Sequence, residues 1–258
     1  MITDSGKLYL MPNTLDFGIA GELPSLEETL APGVLRIASR LEHWVVENAK
    51  SARMFLKRVD AVQPLLRRLQ EIDIVELPRP VKGKSNPPNV DVAKLLAPAI
   101  QGQDLGLLSE AGLPAVADPG AAVVQLAHAH GIEVVALAGA SSLLLALAAS
   151  GLNGQGFSFV GYLPTGAAQR ATRIRELETQ SRRDGQTQLM IETPYRNQAI
   201  LDALVEHLRE TTLLSVSCGL TLAGGFSRTQ RIAAWRCATP SLPGNVPAVF
   251  LVLAAGDS

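Results

Sequence analysis

The chain has 258 residues, 47% of them hydrophobic and 18% charged, a composition that suits one large or two ordinary domains with filled cores and excludes a disordered polymer. Its formal net charge of −1 excludes a global basic field, so any nucleic-acid partner has to be met by a local patch or within a larger assembly. Two cysteines without metal-ligand spacing, Cys218 and Cys237, and four scattered histidines point to a reducing compartment and no metal site.

KLYLMP (7–12) reads as a first strand closed by Pro12, and its apolar run is too brief for a signal peptide. NTLDFGIAGELP then forms an irregular loop over the strand tip. LEETLAPGVLRIASR predicts a helix broken near Pro32 and Gly33, and WVVEN (44–48) a second buried strand. Lys50, Arg53, Lys57 and Arg58 follow on one broad face of a helix running to about Val59, which is either an anion-binding face or a solvated one. DIVELP (73–78) is a further strand. RPVKGKSNPPN (79–89) is linker-like, and Arg79, Lys82 and Lys84 make it basic.

The apolar run DLGLL delivers SEAGLPAVADPG (109–120), the grammar of a strand feeding a tight loop into a helix. Pro119 suits a first helical turn, and Asp118 is expected to cap it rather than to take part in chemistry. The pattern then repeats. The helix stops at Gly131, IEVVAL (132–137) reads as a buried strand, and AGASS (138–142) opens a helix ending at Gly151. One of Ser141 and Ser142 is expected to cap that helix, leaving the other for a ligand, while His128 and His130 complement the negative end of the preceding helix. LLLALAA (143–149) is far too short to span a bilayer. Two consecutive strand–loop–helix units argue for a doubly wound, mostly parallel sheet with adjacent loops at one edge, where ligands collect. Neither loop is GxxxxGK[ST] or GxGxxG, so phosphate cradling is not indicated.

A different regime begins at GYLPTG (161–166). An Arg-rich helix (170–183) carries Arg170, Arg173, Arg175, Arg182 and Arg183, a candidate RNA-facing surface. TQLMIE (187–192), the turn TPYR, a helix over 197–209, LLSVS (213–217), a strand over RTQRIAAW (228–235) and AVFLVLA (248–254) complete the chain. Strands now follow one another with fewer helices, as in a mixed-sheet α+β domain. The expected domains are therefore 1–162 and 163–258, with a cleft between them as the default binding site.

The series LYLMPN, ENAKSARMFL, SEAGLPAVADPG, AGASSLLLALAASGL, FSFVGYLP, IETPYR and CGLT resembles, in order and spacing, the tetrapyrrole methylase superfamily, and most of all its branch of small-subunit ribosomal RNA 2′-O-methyltransferases. The resemblance implies a two-domain α/β enzyme that uses S-adenosylmethionine, yields S-adenosylhomocysteine, and works as a cytoplasmic homodimer on RNA or a ribosomal particle. It implies cofactor contacts from Pro12, Asn13, Ser109, Glu110, Ala111, Gly112, Val116, Ser141 and Ser142, and from Glu192, Thr193, Leu220 and Thr221 of the second domain. Three segments depart from the family pattern: Glu47-Asn48-Ala49-Lys50 stands for an acidic-Asp-Thr-Arg run, AGASS for a proline-rich loop, and GLTLAGGF for an ELTK-like segment followed by an acid.

Methyl transfer from a sulfonium is an in-line displacement that needs alignment and water exclusion, with no metal and no covalent nucleophile. A hydroxyl acceptor must still lose a proton. Glu47, Lys50, Tyr195 and Arg196 are the candidate catalytic groups, and Lys50, Arg53 and Arg196 the candidates for holding an anionic acceptor. The departures keep two other readings open: methylation of a tetrapyrrole-like or other small molecule, and a cofactor-binding module without catalysis.

Overall fold

The computed structural model describes residues 5–16, 23–78 and 92–254, so the basic segment 79–89 and part of the loop after the first strand lie outside the described residues. The chain divides into two compact units, one ending at Ala140 and the other beginning at Ser141.

The first unit is built on five parallel strands: β1 (Leu8–Met11), β2 (His43–Val46), β3 (Asp73–Glu76), β4 (Leu105–Leu108) and β5 (Val134–Ala136), in the order β3-β2-β4-β1-β5. Side chains alternate across it. Tyr9, Met11, Trp44, Val46 and Leu108 enter one core with α1 (Pro32–Arg40) and α2 (Ala49–Val62). Leu8, Val45, Leu105 and Leu107 enter the other with α3 (Val92–Leu95), α4 (Ala97–Ile100) and α5 (Ala121–Ala129). Apolar residues on both strand faces are what a doubly wound parallel sheet requires.

Several boundaries differ from the sequence reading for local reasons. Val46 ends β2 because Asn48 leaves the strand to cap α2, its Oδ1 accepting from the amides of Lys50 and Ser51 at 2.9 and 3.2 Å. Pro32 opens α1 as the first helical residue, where its missing N–H is not needed. The 132–137 strand is shorter than expected and half-exposed, since β5 is an edge strand with β1 as its one partner. Gly131 and Gly151 do adopt left-handed conformations, φ 69° and 66°, after their helices.

In the second unit β6 (Phe157–Phe159), β7 (Thr187–Glu192), β8 (Leu213–Cys218), β9 (Phe226–Arg231) and β10 (Ala248–Leu253) form a mixed sheet of order β6-β7-β10-β8-β9. Only β6 and β7 pair in parallel. One face packs Phe250, Leu214 and Val216 against α7 (Ala167–Asp184), α8 (Asn197–His207) and α9 (Ile232–Cys237), including Ile174, Leu201 and Trp235. The other packs Leu189, Val249 and Leu251 against Leu143, Ala146 and Leu147 of α6 (Ser142–Ser150).

That packing explains why the division falls at Ala140/Ser141, upstream of the 162/163 position read from the sequence: α6 buries Leu143, Ala146 and Leu147 on the second sheet, and β6 is a strand of that sheet through its pairing with β7. The expected strand over 228–235 is corrected. It ends at Arg231 and Ile232–Cys237 is helical, which turns Trp235 into the core, where its indole N–H donates to Leu214 O at 2.9 Å. No helix among the described residues is long and apolar enough to cross a membrane.

Candidate functional site

Strand order sets the site of the first unit. Because β1 lies between β4 and β5, the loops after all three leave the same carboxyl edge side by side. Asn13, 6% exposed at the tip of β1, ties them together. Its Nδ2 donates to Ser109 O at 3.1 Å and Glu110 O at 3.0 Å, and its main chain bridges Gly112, N–H to O at 2.8 Å. Pro12 faces the third loop. A Cβ built on Gly139 would stand 2.1 Å from Pro12 Cβ, so only glycine allows that approach.

The loop 109–120 is compressed. Gly112 has φ 65°, and Ala115 and Ala117, both at φ 64°, occupy the left-handed region at about 1–2 kcal/mol each. Strain of this kind persists where surrounding structure over-determines it and gathers at ligand sites. The Ala115 amide reaches forward to Pro119 O at 3.3 Å, so the chain doubles back and α5 starts only at Ala121, with Gly120 at its cap position. Asp118 is therefore not the helix cap that the Asp-Pro pair suggested. It is half-buried, and its carboxyl is pushed up from 3.8 to about 7 by burial first, then by the negative charges of Glu47 and Glu110.

These two acids are held in turn. Glu47 Oε2 accepts from the Glu110 amide at 3.2 Å, and Glu110 Oε1 accepts from Ser51 Oγ of α2 at 2.7 Å. Ser109, 3% exposed, has a buried Oγ without a hydrogen-bond partner among the described residues. An orphaned hydroxyl beside a carboxylate-rich, amide-bearing loop fits a ligand that is cationic and carries hydroxyls, as S-adenosylmethionine does. Ala111 is half-buried and Val116 is 45% exposed, which leaves Val116 an apolar surface for such a ligand.

The second unit gathers its candidates by register. Ala248 of β10 pairs with both Glu192 and Cys218, so the ends of β7 and β8 reach the same edge. Glu192, 4% exposed, accepts at Oε1 from the Thr193 amide and hydroxyl, 2.8 and 3.0 Å away. Its Oε2 lies 3.3 Å from Arg196 Nη2, and that guanidinium also faces Leu163 O and Pro164 O. Arg196 is thus committed within its own unit, whereas Tyr195 is 80% exposed. Gly219 and Thr221, φ 63° and 68°, form the tight turn after β8, with Leu220 partly buried between them. Ser141 stands at the cap position of α6 without a capping side-chain bond, and Ser142 is its first residue.

Among the basic candidates, Lys50, Arg53 and Lys57 are exposed along α2. Arg58 is not on their face: it turns inward to Asp16, 3.0 Å away, and to Pro24 O at 2.9 Å. On α7, Arg170 is spent on Pro164 O and Thr165 O, Arg173 on Glu176, and Arg183 on Asp184. Among the described residues no group of three His, Cys, Asp or Glu is arranged to hold a metal ion. The sequence reading missed Asp118 as a perturbed group, because Glu47 reaches it from the end of β2 while Glu110 shares its loop after β4; the only signal available was the pair of acids within SEAGLPAVADPG.

Comparison with known proteins fits this geometry. The Ribosomal RNA small subunit methyltransferase I of Mesorhizobium japonicum is 43% identical over 115 residues, 45% of this chain and 38% of that protein. The protein of the same name from Halalkalibacterium halodurans is 27% identical over 202 residues, 78% of this chain and 60% of its own length. The matches thus span between 38% and 60% of these relatives. Two solved structures share the fold. The uroporphyrin-III-C-methyltransferase from Thermus thermophilus aligns with a TM-score of 0.51 at 20% identity, covering 96% of this chain and 92% of that one. The methyltransferase CobJ aligns at 0.53 and 18%, covering 97% and 95%. The family described as Tetrapyrrole (Corrin/Porphyrin) Methylases matches residues 26–232, and the chain belongs to it.

Proposed function

We propose that the protein is an S-adenosylmethionine-dependent methyltransferase whose acceptor is RNA, methylated on a ribose 2′-hydroxyl. The observation that carries the cofactor is the loop 109–120, fastened by Asn13, with the orphaned Ser109 hydroxyl and the Glu47, Glu110 and Asp118 carboxyls about it. The RNA acceptor is supported by the names of the relatives from Mesorhizobium japonicum and Halalkalibacterium halodurans. When bound, the cofactor supplies a methyl group on a sulfonium.

The chain's own residues have three tasks. The loop main chain from Ser109 to Gly112, held in place by Asn13, Thr14 and Glu47, holds the nucleoside against the sheet edge with Pro12 and Asn13 through its remaining polar groups, and Val116 shields it from water. Glu110 accepts from hydroxyls or an ammonium while Ser51 fixes its orientation. Asp118, half-charged near neutral pH, is suited to take a proton from an acceptor hydroxyl. In the second unit, a ligand reaching the β7–β8 edge meets Glu192, Thr193, Leu220 and Thr221; Ser141 and Ser142 serve at the head of α6. The family resemblance supports a cytoplasmic homodimer, which light scattering at micromolar concentration tests.

The deciding experiment is transfer of tritiated methyl from labelled cofactor into fractionated cell extract and small ribosomal subunits, followed by nucleoside analysis. Label in a 2′-O-methylnucleoside is expected. Label in a small tetrapyrrole-like molecule overturns the acceptor and keeps the enzyme; cofactor binding without transfer to any fraction leaves a binding module only.

A further inference from the structure

Most cations of the described chain are already used. Lys7 pairs with Glu133, Arg40 with Asp104, Arg67 with Glu42, Arg236 with Glu210, and the arginines of α7 largely as given above. Arg36, Arg68 and Arg175 stand singly on three different segments, whereas Lys50, Arg53 and Lys57 share one helix. They sit at i, i+3 and i+7 on one exposed face of α2; among the described residues Lys50 and Lys57 make no side-chain hydrogen bond or ion pair, and Arg53 reaches only Ala49 O of its own helix at 3.4 Å. Met54, 54% exposed, lies between them on the same face. In a chain of net charge −1, three uncommitted cations in a row hold a local positive stripe for something outside the fold.

The form of the stripe selects its ligand. Seven residues of helix spread the charges over about 10 Å in a line. They do not converge, and the amides at the helix start are taken by Asn48 and by Glu76, whose Oε1 accepts from Ala49 N–H at 2.8 Å. A small anion needs a cradle; a repeating anion needs a row. The row also has a direction. Its first turn is tied to the candidate cofactor loop by the 2.7 Å bond from Ser51 to Glu110, so a strand lying on α2 runs toward the Glu47, Glu110 and Asp118 carboxyls.

We propose that the outer face of α2 is a track for the sugar–phosphate backbone of the RNA acceptor, with Lys50, Arg53 and Lys57 meeting successive phosphates and Met54 lying against sugar or base. This deepens the RNA methyltransferase reading and rests on it. Phosphate contacts of this type set the register of a strand without reading its sequence, so the track delivers one ribose to the loop while leaving sequence choice to other contacts.

The test is the double variant Arg53→Gln, Lys57→Gln, compared with wild type, with the charge-keeping Arg53→Lys and with Lys7→Gln, which removes a cation at the amino end of β1, away from the loop edge. Fluorescence anisotropy with a short labelled single-stranded RNA is read across a salt series, and methyl transfer is read on small ribosomal subunits. The slope of log K against log salt is expected to become shallower by about 1.4 in the double variant, about 0.7 for each lost phosphate contact, with KM for particles raised and calorimetric cofactor affinity unaltered. Arg53→Lys and Lys7→Gln are expected to keep the wild-type slope. RNA binding and methylation with an unchanged slope in the double variant overturn the track alone. A wild type that binds no RNA and labels a small molecule overturns the RNA reading, and the track with it.

Discussion

Replacing Asp118 by asparagine is expected to make the protein more stable at neutral and alkaline pH while leaving it unchanged in acid. In the folded chain the carboxyl is half-buried near Glu47 and Glu110, and its pKa is raised from 3.8 to about 7. Between these values the folded state holds a proton that the unfolded state has released, so stability falls as pH rises through the window and stays lower above it. Undiscounted, a shift of about 3 units is about 4 kcal/mol. The side chain keeps access to solvent, which screens the repulsion, and about 1–2 kcal/mol is the expected cost at pH 8. Asparagine keeps the shape and carries no charge. Urea denaturation from pH 4 to pH 9 should give wild-type and Asp118→Asn curves that coincide near pH 4 and diverge by that amount above pH 7, with equal m-values. Parallel curves across the whole range would refute the coupling of Asp118 to its two neighbours.

Asn13→Ala removes two side-chain bonds to the carbonyls of Ser109 and Glu110, and is expected to lower stability by about 2–3 kcal/mol and to weaken cofactor binding in calorimetry. Gly139→Ala forces a methyl group onto Pro12 and should cost about 1–3 kcal/mol in denaturant unfolding; a neutral result would mean the two loops stand further apart in solution. Ala117→Gly relieves a left-handed alanine, and the gain of about 1–2 kcal/mol exceeds the added backbone entropy of about 0.5–1, so a modest rise in Tm is expected.

The legible parts of the chain were those written in local chemistry. The Leu8–Met11 and Ala248–Leu253 strands are continuous apolar runs with clear ends, Thr187–Glu192 is marked by its apolar centre Leu189–Ile191, and the left-handed Gly131 and Gly151 close their helices as their spacing suggested. Failures came where tertiary contacts override the pattern. RTQRIAAW reads as a single strand from sequence, yet its apolar second half folds as a helix that buries Trp235 against the sheet. Asp118-Pro119 has the form of a cap, but the Ala115–Pro119 bond closes the loop first. The candidate loop itself was visible as SEAGLPAVADPG. Its fastening was not, since Asn13 lies 96 residues from Ser109 and only the strand order β4-β1-β5 makes them neighbours.

β10 serves the second unit as a common ruler. Glu192 and Cys218 are both measured against Ala248, so the offset between the two segments that leave this edge is independent of how long α8 or its connections become. Lineages are therefore free to lengthen or rebuild the α8 connection without retuning the edge. A single-residue deletion inside β10 has no such freedom: it would shift both neighbours together and exchange Phe250 and Val252 for Val249 and Leu251 on the two faces of the sheet. Variation between relatives should accordingly accumulate around β10 in length, and within β10 only in side-chain identity.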